Sequence, residues 1–328
     1  MTTQPAPLTW DVYVTALEPT ASDDPPPGAQ QFLWQPIAAT LISGQEDAVL
    51  VDPLLTVGQA RDLADWVAAH GKNLRAVYIT HGHGDHWFGL RMLLERFPQA
   101  QALAVPAVVE AMRQGSTPEL LAFWNGLLPR KIPDDLVLAD PLPDHTIQLE
   151  GHDLVAVELG HTDTDDSTCL HVPEVGLVVA GDAVYNDVHQ YFRESSPQGR
   201  RDWLAALDTI QSLGPRAVIA GHQRAGRHDG PEIIGDPPVH PRLRPDRRDG
   251  GDRASAVRPD ARHLPRTRQS RHALVVGARP QALTPISTSC LCPPGVSQEG
   301  AGKCRSDRPG PGATSLIGQP GPGLLSTA

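Results

Sequence analysis

The sequence is poor in aromatic residues and cysteines, and it contains no long hydrophobic run. Phe, Trp and Tyr make up 5% of the 328 residues, and four cysteines occur. Four cysteines, three of them within residues 290–304, are too few for a disulfide framework, which predicts a reduced protein in the cytoplasm. No run of about 18 apolar residues occurs, and residues 1–5 lack the basic start of a signal peptide. We therefore expect neither a membrane span nor a membrane partner.

The net charge changes sign along the chain, and the aromatic residues end near the same place. Residues 1–235 hold 14 Lys and Arg against 31 Asp and Glu, a net charge of −17, whereas residues 236–328 hold 14 against 7, a net charge of +7. The last 93 residues contain no aromatic residue but 14 Pro and 11 Gly, and such a segment buries too little apolar surface to offset its ordering entropy. We predict a folded domain over residues 1–235 and a disordered tail over residues 236–328. The acidity of the folded part argues against a nucleic-acid partner.

Three interpretations of the tail stay open at this point. Its positive charge suits a nucleic-acid arm, although the basic residues are scattered among Pro and Gly rather than gathered in blocks. It is otherwise a plain disordered tail, or the product of a shifted reading frame. The residues from Gly235 onward can be translated back into degenerate codons and read one nucleotide later. This shifted frame permits the string AIRRYIRDFDR, with apolar and aromatic residues at helical spacing. We favour the frameshift hypothesis, which early stop codons in the shifted frame of the gene would contradict.

Strand-like and helix-like segments alternate through the first 235 residues. Two strands around Gly44 are typical of a hairpin, and apolar residues recur at helical spacing from Val57 to His70, with Gly71 suited to the C-terminal cap. Strands joined in hairpins, together with strands joined by helices, predict mixed sheets with helices outside them. The predicted strands are 38–42, 48–51, 75–80, 153–159, 168–172, 177–180 and 216–220, and the predicted helices are 57–70, 89–97, 119–128 and 200–213.

A dense group of potential metal ligands follows the predicted strand 75–80. The small glycines between these ligands let the loop turn tightly so that the side chains converge. Imidazole and carboxylate groups at such density suit a borderline cation such as Zn²⁺. Three histidines and one aspartate stand within six residues, in the run His81-Gly82-His83-Gly84-Asp85-His86.

Three further candidate ligands repeat this placement at the ends of later strands. His161, Asp182 and His222 each stand directly after a glycine that ends an apolar strand. Strand ends on one edge of a sheet can bring their loops to a common cleft, where ligands gather in layered α/β proteins. The repetition therefore predicts one site built from four separate loops.

The H-x-H-x-D-H motif, followed in order by the later His, Asp and His, resembles the metallo-β-lactamase-fold hydrolase superfamily over roughly residues 30–235. The resemblance implies an α/β (α+β) fold, a four-layer αββα sandwich with a site for two metal ions. It implies two Zn²⁺ as cofactors, with Fe or Mn as alternatives. The implied ligands are His81, His83 and His161 for the first metal, Asp85, His86 and His222 for the second, and Asp182 as the bridge.

Several neighbouring residues have two interpretations. Asp52 matches the strand-end Asp of the family, a partner that orients a ligand, but it is equally typical of a turn before Pro53. Tyr185 is similar to the substrate-facing Tyr of acyl-homoserine-lactone lactonases, or it is a packing residue. We expect Asp163, with the other aspartates of its loop, to solvate or cap that loop. Cys169 lies in mid-strand and fits a small core residue.

The implied activity is hydrolysis by a metal-bridging hydroxide, whose formation two adjacent ions promote. In this scheme Asp85 orients the hydroxide and later helps to protonate the leaving group, and Tyr185 is a second catalytic candidate. A true β-lactamase is disfavoured, because Asp182 stands where one subclass needs a Cys ligand. We expect a small ester, lactone or thioester as substrate. Alternatives are a mononuclear iron enzyme resembling the persulfide dioxygenases, which the complete second ligand set argues against, and an inactive, damaged family member.

Overall fold

The computed structural model describes residues 6–26, 28–227, 229–230 and 232–235. The predicted boundary after residue 235, the tail 236–328 and the frameshift hypothesis stay predictions, because they fall outside the described residues. Among the described helices, none combines the length and the apolar character that crossing a membrane requires.

The first half of the chain builds a six-stranded sheet and four helices. The strand order is β1-β4-β5-β6-β7-β8, with antiparallel pairing at the β1–β4 and β4–β5 contacts and parallel pairing from β5 to β8. Strands β2 and β3 pair separately. The elements are β1 (Thr9–Val14), β2 (Glu18–Pro19), β3 (Leu33–Trp34), β4 (Ala38–Ser43), β5 (Asp47–Val51), α1 (Val57–Ala69), β6 (Asn73–Tyr78), α2 (Leu90–Arg96), β7 (Gln101–Ala104), α3 (Pro106–Gly115), α4 (Pro118–Leu127) and β8 (Asp140–Pro141).

The second half builds a five-stranded sheet in the order β14-β12-β11-β10-β9. Strands β9 to β12 pair antiparallel, whereas β12 and β14 pair parallel through a crossover that contains α5. Two short strands, β13 and β15, pair parallel beside the site. The elements are β9 (Thr146–Leu149), β10 (His152–Gly160), β11 (Ser167–Val172), β12 (Leu177–Val179), β13 (Tyr185–Asn186), α5 (Pro197–Ser212), β14 (Ala217–Ile219), β15 (His222–Gln223) and α6 (Glu232–Gly235).

Local signals explain where the first helix begins and ends. The Thr56 side chain accepts a hydrogen bond from the backbone N–H of Gln59, and the Gln59 side chain accepts one from the backbone N–H of Thr56. This reciprocal capping satisfies two backbone donors that a helix start leaves unpaired. Gly71 follows the helix with φ of +65°, a conformation that glycine adopts at little cost.

The second sheet is buried on both faces, which defines the layers of the fold. On β11, Leu170 and Val172 join the core that lies against the first sheet, whereas Cys169 joins a second core with Trp203 and Ile210 of α5. Alternate residues of a strand point to opposite faces of its sheet, so one face packs on the first sheet and the other on α5. The predicted mixed α/β sandwich is confirmed, and Cys169 is a buried core residue as expected.

Candidate metal centre

The loop after β6 is held in a compact turn that directs its side chains inward. Residues Gly84–His86 form a single 3₁₀ turn with Asp85 and His86 buried. A Cβ atom on Gly84 would lie 2.6 Å from the Phe88 ring, so the ring can lie against the loop only because residue 84 has no side chain. The indole Nε1 of Trp87 donates to the carbonyl of Gly82 at 3.0 Å. Contacts with Phe88 and Trp87 therefore hold the loop in place, in addition to the tight turning that its glycines allow.

A first group of possible ligand atoms contains His81, His83 and Asp163, whose atoms all lie within 4.8 Å of one another. Oδ2 of Asp163 is 2.7 Å from Nδ1 of His83 and 3.8 Å from Nε2 of His81. Asp163 is fully buried, and His81 is 1% exposed. These three side chains therefore converge on one point beneath the surface.

A second group contains Asp85, His86 and His222, again within 4.8 Å of one another. Nε2 of His222 is 3.2 Å from Oδ2 of Asp85, and Nε2 of His86 is 3.9 Å from the same oxygen. The indole Nε1 of Trp34, on β3, donates to that oxygen at 3.1 Å. The second group matches the set that the sequence predicted for a second metal.

Asp182 joins the second group through both of its carboxylate oxygens. Its Oδ1 is 3.1 Å from Nε2 of His86, and its Oδ2 is 3.3 Å from Nε2 of His222. Burial lowers the pKa of His81 in the first group, and the charge of Asp182 opposes that shift. A Cβ atom on Gly221 would lie 2.1 Å from Oδ1 of Asp182, so glycine at that position makes room for the carboxylate. Both carboxylate oxygens contact the second group, so the role of Asp182 as a bridge stays a prediction.

Four buried ligand atoms of this cluster have no hydrogen-bond partner outside it in the described part of the chain. They are Nε2 of His81, Nε2 of His86, Oδ2 of Asp163 and Oδ1 of Asp182. A buried polar atom left without partners costs about 1–3 kcal/mol, and more when it is charged. Imidazole nitrogens and carboxylate oxygens that converge only on one another form the donor set of a divalent cation. The residues present therefore fit a metal site.

The far side of each imidazole ring is fixed by an acceptor. Nδ1 of His86 donates to Oδ2 of Asp52 at 3.0 Å, and Nδ1 of His222 donates to the carbonyl of Pro36 at 2.9 Å. Nδ1 of His81 contacts Oγ1 of Thr80 at 2.9 Å, and that hydroxyl donates to Asp52 at 2.8 Å. A proton held on Nδ1 leaves the Nε2 lone pair free for a cation. These contacts favour Asp52 as a partner that orients the predicted ligands, and its φ of +59° also fits a turn before Pro53.

The charges of the cluster shift the pKa values of its members in opposite directions. Burial lowers the pKa of His222, but the charge and hydrogen bonding of Asp182 and Asp85 outweigh burial and raise it to about 10. Burial likewise raises the pKa of Asp182, but His222 and His86 hold it well below its usual range. In the absence of a cation the carboxylates therefore retain protons on His83, His86 and His222. Burial instead lowers the pKa of His81. A cation that binds must displace these protons, which makes its affinity depend on pH.

His161 lies outside both groups, in contrast to the sequence prediction. Its Nδ1 donates to Oδ1 of Asp165 at 2.6 Å, and its Nε2 contacts Oγ of Ser195 at 3.1 Å. The ring lies against Gly199 at the start of α5, where a Cβ atom would be 2.4 Å from Nε2. Asp163, which we expected to solvate or cap the loop, is the residue that meets the two histidines. Six of the seven predicted ligands are brought together, namely His81, His83, Asp85, His86, Asp182 and His222.

Tyr185 does not face an open cleft. It is 3% exposed, and its hydroxyl donates to Oδ2 of Asp182 at 2.6 Å. Its ring stacks on that of His222, with ring centroids 5.5 Å apart and ring planes at 9°. Of the two interpretations, the structure favours a residue that packs on and positions ligands over one that touches substrate.

Two contacts of the site have no counterpart in the sequence reasoning. Oε1 of Glu194 accepts from Nε2 of His83 at 3.3 Å, and its Oε2 accepts from Oγ1 of Thr164 at 2.9 Å. No motif marks Glu194, which lies in the irregular segment between β13 and α5. No motif marks Trp34 either, yet its indole N–H donates to the predicted ligand Asp85.

The family model described as "Metallo-beta-lactamase superfamily" matches residues 33–222. A metallo-beta-lactamase from Hirschia baltica superposes with a TM-score of 0.50 at 15% identity, covering 70% of this chain and 95% of that chain. At this identity the likeness shows the fold alone.

Two curated relatives are hydroxyacylglutathione hydrolases. The protein from Synechococcus sp. is 42% identical over 62 residues, 19% of this chain and 23% of its own length. The protein from Vibrio cholerae is 28% identical over 106 residues, 31% of this chain and 36% of its own length. The chain thus spans about a quarter to a third of the length of these relatives.

Proposed function

Because the chain belongs to the metallo-beta-lactamase superfamily, we propose that it is a hydrolase that holds two Zn²⁺ and cleaves small thioesters or related esters. The observation that carries the proposal is the pair of ligand groups, three atoms each, with Asp182 against two histidines of the second group. Six residues predicted as ligands from the sequence meet there. When bound, two adjacent ions lower the pKa of a shared water toward ~7 and supply a hydroxide nucleophile.

The protein's own groups place the ligands and handle the proton. Asp85 is 4% exposed and is held by the indole N–H of Trp34, so its carboxylate has a fixed direction. We assign to Asp85 the orientation of the attacking water and the later delivery of a proton to the leaving group. Tyr185 supports this work indirectly, because its hydroxyl holds Asp182 in place.

Three observations favour a thioester as the substrate class. The curated relatives are named for hydrolysis of hydroxyacylglutathione, an acyl thioester. The net charge of −17 over residues 1–235 disfavours phosphate backbones of nucleic acids. Aromatic rings near Asp85 offer an apolar surface to an acyl group, since Trp34 lies 5.1 Å from Trp124 and 6.3 Å from Phe32 between ring centroids.

Two features support further parts of the proposal. The complete second group of Asp85, His86 and His222 favours a dinuclear hydrolase over a mononuclear iron oxygenase, which needs one group. Cys169 is buried with a free thiol, which suits the reducing cytoplasm where we place the activity.

A substrate panel tests the proposed activity on the zinc-loaded protein. We expect a hydroxyacyl-glutathione thioester to be cleaved faster than an acylated γ-lactone or a nitrophenyl ester. Asp182→Ala should lose bound metal and hydrolysis together, whereas Asp153→Ala, an exposed aspartate on β10, should keep both. Oxygen uptake with a persulfide substrate, and no hydrolysis of any ester, would contradict the proposal in favour of the iron enzyme.

A further inference from the structure

We propose that Asp163, and not His161, is the third protein ligand of the first metal, together with His81 and His83. The inference rests on the proposed function, because it assigns a ligand within the same site. Asp163 is fully buried, and among the described residues its Oδ2 has no hydrogen-bond partner outside the two ligand groups. That oxygen lies 2.7 Å from Nδ1 of His83 and 3.8 Å from Nε2 of His81.

The second carboxylate oxygen of Asp163 is already engaged. Oγ1 of Thr162 donates to Oδ1 at 2.8 Å, which fixes the carboxylate and directs Oδ2 at the histidines. A buried carboxylate without a compensating cation is strongly unfavourable. A divalent ion bound by Oδ2 of Asp163, Nδ1 of His83 and Nε2 of His81 would compensate the carboxylate charge. It would also give each of these three atoms a ligand bond.

His161 has a different role, because its ring is used elsewhere. Both of its nitrogens have partners, in Asp165 and Ser195. Ser195 also donates from Oγ to the carbonyl of Thr162 at 3.0 Å. His161 therefore links the loop that carries Asp163 to the segment that leads into α5. It is a structural anchor that positions the loop without touching the metal.

The local backbone explains why Asp163, two positions after His161, enters the site. The β10–β11 pairing shifts register between Glu158 and Gly160, and Gly160 has φ of +73°. A bulge with a left-handed glycine re-aims the side chains that follow it. The backbone N–H of Thr162 then donates to the carbonyl of Thr164 at 2.9 Å, which closes a tight turn around Asp163.

Asp163 in place of His161 as the third ligand changes the chemistry of the donor set. With Asp163 as ligand, the two groups and the bridge contain four imidazoles and three carboxylates, where the sequence prediction had five imidazoles and two carboxylates. Carboxylate oxygens favour harder cations such as Mn²⁺ more than imidazole does. We therefore expect the first site to discriminate less sharply between Zn²⁺ and Mn²⁺ than a three-histidine site would.

Metal content and Co²⁺ spectra of three variants test the assignment without using activity. We expect His161→Gln to keep two metals per chain, with the visible spectrum of the Co²⁺-loaded protein unchanged. Asp163→Ala should lose one metal, or weaken its binding by more than the ~10–100-fold that follows loss of an outer hydrogen-bond partner. Asp163→His should keep two metals and change the Co²⁺ spectrum, because an imidazole replaces a carboxylate. Asp163→His also shows whether metal loss in Asp163→Ala comes from the missing ligand or from a folding defect.

The opposite pattern overturns the assignment. If His161→Gln loses one metal while Asp163→Ala keeps two, His161 is the ligand and Asp163 is not. If Asp163→His leaves the Co²⁺ spectrum of the wild type unchanged, the carboxylate does not contact the ion. A wild-type protein that binds no metal contradicts the proposed function itself, which separates that failure from a failure of the Asp163 assignment.

Discussion

The hydroxyl of Tyr185 donates a hydrogen bond of 2.6 Å to Oδ2 of Asp182. Tyr185→Phe removes this bond and keeps the ring that stacks on His222. We expect metal affinity and kcat to fall by about 10–100-fold, the usual cost of losing such a partner, with KM nearly unchanged. Tyr13→Phe, on β1, is the matched control and should behave as wild type. A change confined to KM would instead mean that Tyr185 contacts substrate.

Asp52 holds both ends of the loop that carries the H-x-H-x-D-H motif. It accepts from Nδ1 of His86 at 3.0 Å and from the backbone N–H of Thr80 at 2.9 Å. Asp52→Asn fits the left-handed backbone, φ +59°, because Asn tolerates this region. We expect about 10–100-fold weaker metal binding, measured by competition with a chelator. Asp65→Asn, exposed on α1, should leave the affinity unchanged, and equal affinities for both variants would refute an orienting role for Asp52.

Two glycines with opposite surroundings provide a stability test. A Cβ atom on Gly84 would meet the Phe88 ring at 2.6 Å, whereas one on Gly58 meets nothing within 4 Å. We expect Gly84→Ala to lower the free energy of unfolding by about 1–3 kcal/mol through overpacking. Gly58→Ala, inside α1, should raise it by about 0.4–1 kcal/mol. Denaturant unfolding of both variants measures the difference, and an unaffected Gly84→Ala would show that the loop does not need the close approach.

Glu150 predicts a pH-dependent contribution to stability. Its carboxylate accepts backbone N–H bonds from Glu46 and Asp47 at 2.7 and 2.8 Å, and with Gln45 they hold its pKa below its usual value. The stabilisation is therefore present at neutral pH and is lost as the pH falls below about 4, through the folded-state pKa. Glu150→Gln should have a lower Tm than wild type at pH 7, and the difference should shrink as the pH falls through the folded-state pKa of Glu150. Glu110→Gln, in an exposed ion pair, should show little effect at any pH, and a Tm difference for Glu150→Gln that does not shrink on acidification would contradict the mechanism.

Much of the fold follows from local sequence patterns. The predicted helix 57–70 is observed at Val57–Ala69, and the predicted strand 168–172 at Ser167–Val172, because their apolar periodicity and caps are strong local signals. Strand β1 and helix α3 were not predicted. Strand β1 gains its order by pairing with β4, a contact that no local window contains. The proline at the first position of α3 is a signal that was available and not used.

The ligand set shows both the reach and the limit of sequence reasoning. The motif around His81 is contiguous, so its convergence depends on one short loop. The later predicted ligands follow the ends of separate strands, and Asp182 and His222 meet as this placement predicts. His161 lies outside both groups, and the bulge before Gly160 re-aims the side chains of its loop. Its ring lies against Gly199 of α5, a contact between segments about 40 residues apart that no local window contains.

The metal content of the purified protein, measured by plasma mass spectrometry, tests the central claim most directly. The two ligand groups, whose buried atoms have no hydrogen-bond partner outside the cluster, predict about two zinc ions per chain. About one iron ion per chain would contradict the dinuclear site and favour the oxygenase. No bound metal in a soluble, folded protein would contradict the account altogether.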